Sequence, residues 1–192
     1  MKRVISGIAM TTCMFLSAAH ATPLVSDSSS SLTVQGSLKD NAGASGCAVS
    51  LSRNSVEDIK RADDIPVQGE DARIITSVKL SVNPINPSLS PIDSCSREII
   101  DGKVGLKLTG PADTVEGTAL ANTLTGDNAA SGVGFGIFTL QGKSIPLNSV
   151  VNIATDVNSG AAVIGVAMVK LKGQTVTEGN AQSNLTVEVA HL

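Results

Sequence analysis

The apolar residues of this chain recur at every second position in short runs, and almost nowhere at helical spacing. In Lys103-Val104-Gly105-Leu106-Lys107-Leu108, for example, Val104, Leu106 and Leu108 fall on one side and the two lysines on the other. Successive side chains of a strand point to opposite faces, so such a run predicts a strand with one face in a core and one in water. The same reading predicts strands over Cys47 to Leu51, Ala72 to Val82, Lys103 to Leu108, Val133 to Leu140, Ser149 to Ala154, Ala162 to Leu171 and Asn184 to His191. Glycine, proline, asparagine and aspartate separate them. Short strands punctuated in this way predict an all-β antiparallel sandwich or barrel.

The intervening segments carry less pattern. Between Val82 and Cys95, Pro84, Pro87 and Pro91 cannot donate to a ladder and mark an extended loop that carries the second cysteine toward the first. Glu57 to Asp64 is dense in charge and fits a helical turn or a solvated loop equally. Gly105, Gly134, Gly136 and Gly165 lie inside strand patterns, where glycine marks a bulge or a close backbone approach.

The chain opens with Lys2 and Arg3, an apolar stretch to about Ala19, and Ala19-His20-Ala21, a small-x-small cleavage pattern. Residues 1–21 therefore read as a secretory signal peptide; the stretch is shorter than the roughly 20 apolar residues of a spanning helix. Residues 22–35 begin as a polar, serine-rich arm, within which Leu24, Leu32 and Val34 share one parity. Residues 36–192 remain as one domain, long enough for its own core. Cys13 leaves with the leader, so Cys47 and Cys95 face an oxidising compartment as a pair and are expected to form a disulfide. Their spacing fits neither a CxxC redox pair nor a zinc set.

Composition excludes several function classes. The formal net charge is −3 with no basic run, there is no Trp or Tyr, and there are only three Phe, which removes the stacking platforms and phosphate-neutralising patches of nucleic-acid binders. The mature chain keeps one histidine, His191, next to the C-terminal residue, a poor place for a catalytic triad. Gly132 to Gly136 lacks the third glycine of a dinucleotide loop, since Ile137 stands there. Asp63-Asp64 and Glu70-Asp71 read as solvated loop carboxylates, not a glycosidase pair. No catalytic, cofactor-binding or metal-ligating residue is expected.

Both ends of the mature chain are informative together. Asn184 to Leu192 alternates Leu185, Val187 and Val189 against Thr186, Glu188 and Ala190, so the chain stops in a strand, and a final strand leaves an edge that templates another chain's backbone. Taken in order, five stretches carry a family resemblance: the arm before Val34-Gln35-Gly36, Gly46-Cys47-Ala48-Val49, the strand Val78 to Val82 ahead of a second cysteine, Ala130-Ser131-Gly132-Val133-Gly134, and Val176 to Ala181 leading into the last strand. With the leader and the paired cysteines, the chain resembles the type 1 fimbrial protein family, the subunits of chaperone–usher pili.

That resemblance implies an immunoglobulin-like sandwich, the pilin fold, that lacks its last strand and keeps an apolar groove beside the strand before it. Such a subunit is filled first by a strand of a periplasmic pilus chaperone and then, at the outer-membrane usher, by the arm of a neighbouring pilus subunit. By position, the donor strand is Leu24, Ser26, Ser28, Ser30, Leu32 and Val34. The acceptor edge and chaperone contact is Leu185, Val187, Val189 and Leu192, whose carboxylate ends the chain, and Cys47 with Cys95 is the family disulfide. The implied product is a structural subunit exported through the periplasm to the cell surface, meeting a host-surface receptor through the assembled fibre. His191 stands where the family has an aromatic residue, and the Pro-rich loop before Cys95 is an insertion. Three other functions compete: a minor adapter or ligand-binding adhesin, a secreted β-sandwich hydrolase, and a self-complemented domain that folds its arm into its own groove. The missing aromatics disfavour a sugar-binding adhesin and the single histidine disfavours a hydrolase.

Overall fold

The structure is a computed structural model that describes residues 28–36, 46–73, 75–85, 93–156 and 159–192. The leader, Leu24, Ser26 and Ile74 lie outside the described residues.

Among the described residues, twelve strands follow one another: β1 (Ser28–Gly36), β2 (Cys47–Leu51), β3 (Ser55–Lys60), β4 (Thr76–Pro84), β5 (Val104–Thr109), β6 (Leu120–Ala121), β7 (Val133–Phe138), β8 (Ser144–Ile145), β9 (Val150–Asn152), β10 (Ala154–Asp156), β11 (Ser159–Lys170) and β12 (Ala181–His191). The described residues also hold a helix, α1 (Ser94–Ile100), and a 3-10 turn, Ala62–Asp64. One sheet runs β3-β1-β12-β5-β9; the other runs β2-β4-β11-β7-β6, with β10 added to β11 and β8 to β7. The molecule is a two-sheet β-sandwich, one of the two architectures, sandwich or barrel, that its alternation predicted.

The core lies between the sheets. Val78, Leu80 and Val82 of β4, Leu106 and Leu108 of β5, Ile164, Val166 and Met168 of β11, and Leu185 and Val187 of β12 are all buried in one cluster. Their partners in the alternation, such as Lys79 and Lys107, are exposed. β7 is buried along its whole length because a second cluster covers its other face: Phe138 packs there with Ala167 and Val169 of β11, with Leu171 just after it, and with Ala72 and Ala119. This two-sided burial explains why Val133 to Phe138 lacks polar alternation.

Cys47 and Cys95 form the disulfide, with Cα atoms 5.3 Å apart. The second cysteine arrives on α1, which sequence periodicity did not reveal. Asp93 caps that helix, its carboxylate accepting from the Ser96 backbone N–H at 2.8 Å and from the Ser96 hydroxyl at 3.1 Å. With only seven residues, α1 is too short to display a helical stripe; Cys95 and Ile99 anchor it in the core. The run Glu57 to Asp64 divides into the end of β3 and the 3-10 turn.

The strand glycines sit at close approaches. A Cβ on Gly105 would come within 2.5 Å of Val150 Cγ1, and one on Gly134 within 2.5 Å of the Leu120 carbonyl oxygen. Each therefore lets two neighbouring strands meet, which is the alternative to a bulge.

Candidate functional site: the groove beside the last strand

The sequence leaves β12 as an edge. In the structure it has neighbours on both sides, and one of them is the arm. β12 pairs antiparallel with β5, from Thr186 opposite Thr109 to His191 opposite Val104. On its other side it pairs parallel with β1, from Ser30 opposite Ala181 to Gly36 opposite Val187. β1 in turn pairs antiparallel with β3, from Ser28 opposite Lys60 to Thr33 opposite Ser55. The groove thus has β12 and β3 as its walls, and the chain's own arm lies between them.

Of the residues expected to form the donor strand, Ser28, Ser30, Leu32 and Val34 all fall in β1, with Ser30, Leu32 and Val34 at register positions opposite Ala181, Ser183 and Leu185. Of the expected acceptor residues, Leu185 and Val187 are fully buried, Val189 is half-buried and packs on the core, and Leu192 is exposed. The second wall, β3, was not legible. In Ser55–Lys60 only Val56 is a buried apolar residue, and Ile59, on the opposite parity, is 62% exposed, so no alternation marks the strand.

The two ends of β12 are held by different chemistry. At its beginning, loop groups replace strand pairing on the β5 side. The Gln182 backbone N–H donates to Asn122 Oδ1 at 2.9 Å, and the Thr123 N–H donates to the Gln182 carbonyl at 2.8 Å. Asn122 Nδ2 donates to the Ala130 carbonyl at 2.8 Å, so one side chain joins two loops to the strand. At its end, His191 Nδ1 lies 3.1 Å from Glu98 Oε2 of α1, and the Leu192 N–H donates to the Lys103 carbonyl at 2.8 Å. His191 and Leu192 thus lie beside α1, the helix carrying Cys95, and the segment that follows it.

Where β1 begins, beside Lys60, the groove opens into a cavity of about 270 Å³ whose apolar lining includes Ile65, Ala130, Val133, Met168 and Val176. Near the same end of the sandwich a buried polar knot holds the loop from Asp113 to Ala119. Asp113 accepts from the backbone N–H groups of Val115 at 2.8 Å, Glu116 at 2.9 Å and Ala119 at 3.0 Å, and from Gln68 Nε2 at 2.9 Å. Gln68 also donates to Thr118 Oγ1 and, through Oε1, accepts from the Lys172 N–H. Burial pushes the Asp113 carboxyl upward, but the backbone donors of Ala119, Glu116, Val115 and Gly117 outweigh it and leave its pKa below the ordinary value of 3.8. This is a structural carboxylate. Among the described residues no group of three or more His, Cys, Asp or Glu side chains is placed to hold a metal.

The family model described as "Fimbrial protein" matches residues 72–191, more than half of the chain. The chain belongs to the fimbrial protein family. The matched region holds β4 to β12 and therefore the groove-lining strand β12, while β1 and β3 precede it. Members are structural, non-enzymatic subunits of surface pili that associate with other pilus subunits. Among solved structures, the chain is similar to the Burkholderia pseudomallei antigen and type I fimbria protein, at 17% identity over 85% of this chain and 92% of that one, with a TM-score of 0.44. It is also similar to the P pilus rod subunit PapA, at 17% identity over 82% of this chain and 100% of that one, again with a TM-score of 0.44. The assignment rests on the family match and not on these two. No curated protein matches the sequence.

Proposed function

We propose that this fimbrial subunit polymerises by strand exchange, the arm of one copy entering the groove of the next, and that the fibre so built supports adhesion of the cell to a surface. The observation that carries this reading is the position of β1. A segment ahead of the family-matched region lies between β3 and β12 and pairs with both. Main-chain pairing of this kind is indifferent to which molecule supplies the strand, so the arm and a foreign strand compete for one site.

Two further observations support exchange. β1 pairs with β12 in parallel, and parallel ladders are slightly weaker per residue than antiparallel ones, so an incoming strand of opposite direction has an advantage. The cavity at the start of β1, lined by Ile65, Val133 and Met168 together with Lys60, Arg61, Asp63 and Glu178, offers such a strand a place to begin. A periplasmic chaperone strand is the proposed occupant before assembly, with the usher catalysing the handover during export to the surface.

A second reading keeps the arm permanently in its own groove as a self-complemented domain, and the seated β1 favours it. Co-purification of the periplasmic protein with and without a cognate pilus chaperone, followed by gels of unheated and heated samples, separates the two. A one-to-one complex that converts to heat-sensitive ladders is expected. A monomer that never forms ladders would overturn polymerisation by exchange and leave the self-complemented domain.

A further inference from the structure

β3 is the outermost strand of its sheet: β1 pairs with one side of it, and no strand pairs with the other among the described residues. An unpaired strand edge is a template for a further strand. Val56 is buried in the core, while Glu57, Ile59 and Arg61 share the opposite parity and are exposed, Ile59 by 62%. Arg61 continues the extended backbone beyond the strand, with φ −81° and ψ 144°. A cavity of about 730 Å³ borders this stretch, with Ile59, Arg61, Asp64 and Arg73 in its lining, and leaves room for a second chain.

We propose that β3 pairs with β3 of a second copy, antiparallel and across a twofold axis, and so joins two copies side by side. The charge order of the segment selects both this partner and one register. In a twofold antiparallel pair one residue stands opposite its own copy. Centred on Ile59, the pair sets Glu57 of each copy opposite Arg61 of the other, and Ile59 opposite Ile59. Centred on Asp58 it sets two aspartates opposite each other, and centred on Lys60 two lysines. Like charges directly opposite are destabilising and unlike charges stabilising, so the register centred on Ile59 is preferred. This contact is the same patch on both copies and closes on itself, which separates it from the open contact that builds a fibre. A strand that replaces β1 leaves the far side of β3 unchanged. On the strand-exchange reading above, on which this consequence alone rests, every subunit of a fibre keeps the edge, and neighbouring fibres carry many copies of one weak contact.

Sedimentation of the purified full chain at up to about 1 mM tests the pairing, since so small an interface is expected to be weak. A dimer that falls apart on unheated detergent gels is expected, unlike the ladders of strand exchange, which only heating dissolves. A monomer at every concentration would overturn the proposal whether or not ladders form. Glu57→Arg and Arg61→Glu, both at exposed positions, should each weaken self-association by roughly tenfold or more. Mixed one to one, the two variants should pair with each other as tightly as the unmodified chain pairs with itself, because each arginine of one then stands opposite a glutamate of the other. A mixture that stays monomeric, or single variants that dimerise like the unmodified chain, would overturn the β3 pairing.

Discussion

β11 and β12 are both long central strands, yet their surroundings differ. β11 lies between β4 and β7, antiparallel to each, with Ile164, Val166 and Met168 in the main core and Ala167 and Val169 in a second cluster on its other face. β12 lies between β5, antiparallel, and β1, parallel, and its β1 side is closed by a segment with four consecutive serines. One sheet is completed by residues that apolar burial fixes in place. The other is completed by a strand with little apolar surface to hold it, in the weaker orientation. Composition and direction therefore set the two sheets apart.

The largest expected effects come from placing a charge at matched positions in each sheet. Ile164→Asp buries a carboxylate in the two-sided core and should prevent folding, at a cost of several kcal/mol. Val34→Asp in β1 should leave a folded domain, read by circular dichroism, but stop ladder formation with other copies. Loss of fold by both variants alike would erase the distinction between the sheets.

Removing the disulfide comes next. Cys47→Ser with Cys95→Ser frees a loop spanning 48 positions and ties β2 and α1 together no longer. A loss of about 2–5 kcal/mol in urea unfolding is expected. If ladder formation survives in the reduced but folded fraction, the bond serves the permanent part of the molecule and not the exchange.

Asp113→Ala should cost about 2 kcal/mol, since it strands the backbone donors of the 113–119 loop. The sign with pH follows from the depressed pKa. The carboxylate's contribution is complete above its ordinary value of 3.8 and is lost as pH falls through the lower folded value. Acid titration of stability should therefore lose a step in Asp113→Asn. An unchanged acid limb would place the responsible carboxylate elsewhere. The smallest effect belongs to Ile59→Ser on β3, within about 0.5 kcal/mol, because its side chain is exposed on the wall strand of the groove. A clear loss of ladder formation there would extend the exchange surface beyond the groove.

Much of the sandwich was legible before any coordinates. Val78, Leu80 and Val82, or Val104, Leu106 and Leu108, announce both their strands and their buried faces, because alternation and burial are one fact seen twice. The cysteine pair was legible from number and compartment, and the last strand from Leu185, Val187 and Val189. β3 escaped because its burial rests on Val56 alone, and α1 because its signal was a single cap, Asp93, ahead of about two turns of chain.

What no pattern in the sequence could decide is which strand lies next to which. Parity told that Leu32 and Val34 face one way, but parity is the same for a strand running in either direction and for every register shifted by two residues. The parallel seating of β1 between β3 and β12 is set by where the rest of the sandwich leaves a gap. Local alternation is a property of a segment; the gap is a property of the assembled sheets.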